Sequence, residues 1–310
     1  MNESVVRVSN LSHRYSVQWA VHDVSFELTH NGIYGLLGAN GAGKSTIMNI
    51  MCGVLKQTHG DVFIKGISLS DHPVEAKKHI GFLPQQPPLQ MDLTVEEYLI
   101  HTANIRLMPR TKVKAAVDEV MEKCKVSHFR KRLLRNLSGG YQQRVGIAQA
   151  IIHKPDFVVL DEPTNGLDPN QILEVRGLIR EIAEDRTVVL STHILQEVQA
   201  LCDNIWMINE GKVVFTGAMD EFDNYLKPNT LVITLATPPA VFELQSIPGV
   251  VNVEELGLTR FRIQFTDAQE VTSRIVEASV YKGWSLMEIS VEKNSLDSIF
   301  SELSKKKAKR

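Results

Sequence analysis

The sequence predicts an α/β domain followed by a smaller α+β domain. Residues 1–226 alternate strand-like and helix-like segments, a short apolar run at 33–37 enters a Gly-rich turn, and beyond residue 230 the order changes to strand, helix, strand, strand, helix, strand. The chain has 310 residues, room for two domains at ~150 residues each. With 43% hydrophobic and 23% charged residues, disordered and fibrous classes are excluded. Lys plus Arg number 34 against 36 Asp plus Glu, net −2, which argues against a nucleic-acid binder working by bulk charge. Cys52, Cys124 and Cys202 are widely spaced and lack a CxxC pair, which fits a reduced, cytosolic chain without a structural metal. The first nine residues show no apolar signal region, and no stretch nears the ~18 apolar residues of a membrane helix.

The elements follow in order. Residues 24–28 alternate apolar and polar, as a half-buried strand does, and 33–37 form the run that ends at the Gly-rich turn. From 44 to 54, Ile47, Ile50, Met51 and Val54 recur at helical spacing, with Gly53 near the stop. Residues 61–64 and 80–83 read as strands, with Lys65-Gly66 a turn. The stretch 94–153 is helical by pattern, including 113–124. Residues 157–160 and 187–190 have the β-branched character of strands buried on both faces. A hairpin follows at 205–208 and 212–215 around Glu210-Gly211.

A linker is expected at 227–230, after a first domain of residues 1–226 whose helical part lies near 86–153. Beyond it come strand 231–236, helix 239–246, strands 250–256 and 260–266, helix 268–281 and strand 284–292, a ferredoxin-like βαββαβ order. Its helices must cover one sheet face, and helix 268–281 offers Val271, Ile275, Ala278 and either Val276 or Val280. The other face is expected to be more polar. A last amphipathic helix is predicted at 295–304, closing a C-terminal domain of residues 231–304 read as a regulatory or dimer-contact module. The basic tail 305–310 stays open between a solvated end and a contact with anionic lipid.

Gly38-Ala39-Asn40-Gly41-Ala42-Gly43-Lys44-Ser45-Thr46 fits GxxxxGK[ST] between a predicted strand and a predicted helix. The glycines let backbone N–H groups curl around phosphate oxygens, Lys44 adds a point charge, and the Ser45 hydroxyl is a ligand for Mg²⁺. Downstream, an apolar strand ends in Asp161-Glu162. Asp161 occupies the strand end where a P-loop fold holds Mg²⁺, and Glu162 can take a proton from an attacking water. Ser138-Gly139-Gly140, just ahead of a helix, is a second anion site: a hydroxyl, two unobstructed amides and a helix dipole. One triphosphate is already held by the first loop, so a second phosphate-reading site fits ATP sandwiched between two cassettes.

Over residues 3–226 the sequence resembles the ATP-binding subunits of ABC transporters, with residues 137–144, Leu-Ser-Gly-Gly-Tyr-Gln-Gln-Arg, similar to their signature motif. The fold implied is a P-loop NTPase (ABC ATPase) cassette with a helical subdomain. The resemblance implies that Tyr15 stacks on adenine, against the alternative of a turn tyrosine packed in the core. It implies that Gln85 touches Mg²⁺ and relays to a membrane partner, with Gln86 beside it leaving the choice between the two open. Gln142 joins Ser138, Gly139 and Gly140 in the signature, Asp168 crosses a dimer interface, and His193 meets the γ-phosphate. Leu167-Asp168-Pro169-Asn170-Gln171 and the appended domain are similar to export-type, gliding-motility-associated ATPases, although Gly139 stands where that subgroup often has Lys.

The expectation is therefore an ABC-type ATPase with ATP and Mg²⁺ as cofactors, peripheral on the cytoplasmic face of the cell membrane. Its expected partners are separate transmembrane permease subunits and a second copy of itself, with no nucleic acid. Lys123, Lys125, Arg130, Lys131, Arg132 and Arg135 form a basic run read either as a solvated face or as a partner contact. Two alternatives keep the ATPase: a motility or signalling machine without substrate flux, and a soluble enzyme acting on ribosomes or DNA.

Overall fold

A computed structural model describes residues 4–226 and 230–292. The chain divides into two units at Met219/Asp220, seven residues before the expected boundary. The predicted helix 295–304 and the tail 305–310 lie outside the described residues.

In chain order the first unit contains β1 (Val6–Tyr15), β2 (Gln18–Leu28), β3 (Gly32–Leu37), α1 (Lys44–Met51), β4 (His59–Ile64), β5 (Ile67–Ser68), α2 (Pro73–Lys78) and β6 (Ile80–Leu83). There follow α3 (Val95–Ile105), α4 (Arg110–Lys123), α5 (Gly139–Ile151), β7 (Phe157–Asp161), α6 (Pro169–Ala183), β8 (Thr187–Thr192), α7 (Leu195–Leu201), β9 (Asn204–Asn209) and β10 (Lys212–Ala218). Helix α8 (Met219–Leu226) straddles the boundary.

Two sheets build this unit. One is antiparallel in the order β2-β1-β4-β5; the other runs β10-β9-β3-β8-β7-β6, parallel except for β10. Every residue of β7 and β8 is buried, which is why their sequences are continuous apolar runs rather than alternations. Parallel pairing sets Leu37 beside Thr192 and Asp161 beside Ser191, so the C-terminal ends of β3, β8 and β7 adjoin along one edge. Ligands in open α/β sheets gather at that edge. The helical segment resolves into α3, α4 and α5, with short 3₁₀ turns at Ser127–Phe129 and Leu134–Asn136. A capping box starts α3: Thr94 Oγ1 accepts from Glu97 N–H at 3.3 Å, and Glu97 Oε2 accepts from Thr94 N–H at 2.9 Å.

The sequence reading omits β1 and begins the next strand at 24 rather than Gln18. Irregular register explains this: pairing of β1 with β2 shifts between Val8 and Leu11, between Leu11 and His13, and between His13 and Arg14, so no clean period of two survives.

The second unit contains β11 (Thr230–Leu235), α9 (Val241–Gln245), β12 (Val250–Glu255), β13 (Arg260–Phe265), α10 (Ala268–Lys282) and β14 (Leu286–Glu292). Its antiparallel sheet, β12-β13-β11-β14, has the ferredoxin-like strand order. Leu231, Ile233, Leu235, Phe261, Ile263 and Phe265 pack against Leu244 of α9 and Val271 and Ile275 of α10. Neither Val276 nor Val280 joins this core. Both are exposed, and buried Ser279 takes the place, its Oγ accepting from Leu286 N–H at 3.1 Å. The opposite face is polar: Arg262 bonds Glu292 at 2.8 Å and Glu254 at 2.9 Å.

Candidate nucleotide site

The Gly-rich turn joins β3 to α1 at the converged strand ends. Gly41 and Gly43 have φ of +80° and +107°, and a Cβ on Gly43 would stand 2.6 Å from the Ala20 carbonyl oxygen, so a side chain is excluded there twice over. Helix α1 has no side-chain cap and no acidic residue in its first turn, which leaves its N-terminal partial positive charge for a ligand. Buried Lys44 donates from Nζ to the carbonyls of Gly38 at 2.8 Å and Ala39 at 3.2 Å. Burial lowers its pKa, with Glu162 and Asp161 acting in the opposite sense.

A cavity of about 670 Å³ opens at this point. Asn40, Gly41, Gly43, Lys44, Ser45 and Thr46 line it, together with Tyr15, Gln85 and Glu162. Gly38, Ala39 and Ala42 do not. They shape the turn, Ala42 N–H donating to the Ala39 carbonyl at 3.1 Å and Gly211 N–H to the Ala42 carbonyl at 2.9 Å. Tyr15 is 52% exposed and lines the cavity rather than the core, and Gln85 lines it where Gln86 does not. The sequence reading missed Trp19, which also lines the cavity and is paired with Arg14 in the β1–β2 hairpin. Its signal was an aromatic four residues after Tyr15, hidden by the unread strand.

Asp161 closes β7 and accepts a hydrogen bond from Ser191 Oγ. Glu162 is buried and left-handed at φ +49°, a conformation costing ~1–3 kcal/mol in a non-glycine residue. Its N–H donates to the Ser191 carbonyl at 3.2 Å and its carbonyl accepts from Asn165 N–H at 3.1 Å. Held in this way, its Oε1 sits 2.9 Å from His193 Nδ1, and neighbouring strands thereby deliver a carboxyl and an imidazole to one point.

Ser138, Gly139, Gly140 and Asp168 do not line the cavity. Ser138 and Gly139 are exposed at the start of α5, and a Cβ on Gly139 would meet nothing within 4 Å. Gly140 differs: it is buried, and its Cβ would fall 2.4 Å from Gln171 Cδ. The Gln142 amide donates to the carbonyls of Leu134 at 3.1 Å and Leu137 at 3.3 Å, which braces the signature turn. Exposed Asp168 caps α6 by accepting from Gln171 N–H at 3.0 Å. In the basic run, Arg130 bonds Glu96 and Asp118 at 2.7 and 2.6 Å and Arg135 bonds Asp92 at 2.8 Å, acids drawn from outside the run.

Residues 21–165 match the family model for ABC transporters. The chain is 37% identical over 213 residues to a bacitracin transport ATP-binding protein of Bacillus licheniformis, covering 68% of this chain and 69% of that one. A linearmycin resistance ATP-binding protein of Bacillus subtilis is 30% identical over 310 residues, 96% of this chain and 98% of the other. A dimeric ATP-binding cassette solved in a post-hydrolysis state with ADP and Pi superposes with a TM-score of 0.63 at 26% identity, covering 69% of this chain and 98% of that cassette.

Proposed function

The chain belongs to the ATP-binding subunits of ABC transporters and is an ATPase, and from that premise we propose that it energises an exporter whose membrane-spanning subunits are separate chains. The observation that carries this reading is the division of phosphate-reading groups. The cavity holds the P-loop and Glu162, whereas exposed Ser138, Gly139 and Asp168 lie outside it and are free to serve a second copy. Two copies close around two ATP, each gripped by residues 38–46 of one and the signature of the other. Glu162 takes the proton of the attacking water, and His193 fixes Glu162 and meets the γ-phosphate. Tyr15 and Trp19 wall the adenine side.

Ser45, Gln85 and Asp161 offer only oxygen donors at the cavity and the adjoining strand end, the set a hard cation takes, so they would hold Mg²⁺. When bound, Mg²⁺ neutralises charge on the β- and γ-phosphates. Among the described residues no helix is long and apolar enough to cross a membrane. The kinship with transporter ATP-binding subunits supports a peripheral place at the cytoplasmic face, working through a permease. The name of the linearmycin resistance relative supports outward transport, since resistance fits removal of the compound from the cell. Residues 167–171 and the appended domain support a place near gliding-motility ATPases, with the second unit a regulatory or dimer-contact module.

Co-purification with a polytopic membrane protein, followed by ATP-driven flux in proteoliposomes, tests the reading. ATP turnover without flux means a motility or signalling machine, and absence of any membrane partner means a soluble ATPase.

A further inference from the structure

We propose that Glu197 is a positioning residue for hydrolysis, tying the loop that follows Glu162 to the loop that carries His193. The inference rests on the reading of Glu162 and His193 as the hydrolytic pair. Glu197 lies in the first turn of α7 with only 3% of its surface exposed. Its Oε1 accepts from Thr164 Oγ1, and its Oε2 accepts from Thr192 Oγ1 at 3.1 Å. Thr164 is two residues beyond Glu162, and Thr192 immediately precedes His193. Both threonines are buried, at 4% and 0% exposure.

A buried carboxyl is unfavourable unless its oxygens are bonded, and here both are, to loops leaving two different strands. A local turn ahead of α7 would account for Thr192, whose Oγ1 also accepts from Ile194 N–H at 3.0 Å. It does not account for Thr164, which belongs to the other loop. Nor does packing call for a carboxyl, since Val198 and Leu201 already bury the apolar side of α7. The arrangement instead fixes the backbone on one side of Glu162 and on both sides of His193. The 2.9 Å contact between them depends on a left-handed residue, so the loops need an external tie to hold it. A misplacement of ~1 Å in such a pair lowers turnover on the order of 100-fold.

The test compares Glu197→Leu, Glu197→Gln, Thr164→Val and the double variant Thr164→Val/Glu197→Leu in the full chain, reading kcat, KM for ATP and melting temperature. Glu197→Leu is expected to lower kcat by ~10–100-fold with KM changed less than about twofold, and Glu197→Gln, which keeps one acceptor oxygen, to recover part of it. The double variant should be no slower than Glu197→Leu alone, because both remove the same tie. Wild-type turnover in Glu197→Leu, additive losses in the double variant, or losses that track melting temperature alone would overturn the proposal. Should Glu197→Leu fail to fold, Thr164→Val decides: a lowered kcat at unchanged KM upholds the tie, and wild-type kcat refutes it. Failure of the underlying reading looks different, because Glu162→Gln itself would then retain turnover.

Discussion

The two units lay helices over a β-sheet, but only the first gathers polar groups at one edge. In the cassette β3, β8 and β7 run parallel, so a Gly-rich turn, Asp161-Glu162 and Thr192-His193 emerge side by side. In the second unit every strand pair is antiparallel, so neighbouring strands end at opposite edges of the sheet. Its polar residues meet across a face instead, as the ion pairs of Arg262 with Glu254 and Glu292. The direction of pairing thus decides whether functional groups converge or spread.

The comparison breaks first at Glu162. Glu162→Gln keeps the shape of the strand end and removes the proton acceptor, so single-turnover hydrolysis should fall ~10²–10⁴-fold while ATP stays bound. Next is Gly139→Asp, which meets open space within its own chain. Filter-binding should show nucleotide affinity retained. ATP-dependent dimerisation, measured by sedimentation in a Glu162→Gln background, should drop on the order of 100-fold, because like charges juxtaposed at an interface cost several kcal/mol. Gly140→Asp is a poorer probe, since it first displaces Gln171.

The place of the cavity was readable before any fold was known, because its pattern is local: 38–46 and 161–162 are contiguous runs, and Asn40, Gly41, Lys44, Ser45 and Glu162 among them line it. What stayed hidden was cooperative across distance. Trp19 belongs to the cavity only through a hairpin whose register slips, and Glu197 sits four residues past His193 with no local hint of Thr164. The bracing by Gln142 was equally illegible, since its partners are backbone carbonyls of Leu134 and Leu137. In the second unit the strand order followed from the pattern. Choosing between Val276 and Val280 did not, because Ser279 satisfies a strand N–H that periodicity cannot see.

Smaller effects sharpen the contrast between units. Removing residues 228–310 should leave ATP affinity within about twofold, while dimerisation or coupling to the permease weakens by about tenfold, ~1.4 kcal/mol. Full affinity for the partner in the truncated chain would reassign the second unit. His153, in the cassette, has its pKa pushed from 6.5 down to about 4, by burial first and by Arg106 second. The unfolded chain therefore binds that proton more readily, and stability should fall as pH drops from about 6.5 toward 4. Urea unfolding of His153→Gln should show a shallower fall over that window. Least of all, Arg262→Met should cost about 1 kcal/mol, because the pair is partly exposed, with the difference shrinking in high salt and ATP turnover unchanged.

The Gln171 side chain lies where a Cβ of Gly140 would be, while its N–H is held by Asp168, and Arg144 of α5 bonds Glu174 of α6 one turn further on. The signature turn and the Asp168 loop are therefore preassembled within one subunit. On the sandwich reading, a partner meets both as a single rigid surface, and the conformational entropy of arranging them was already lost when the chain folded. Closure then orders fewer independent parts, which favours tight and rapid engagement from a modest contact area.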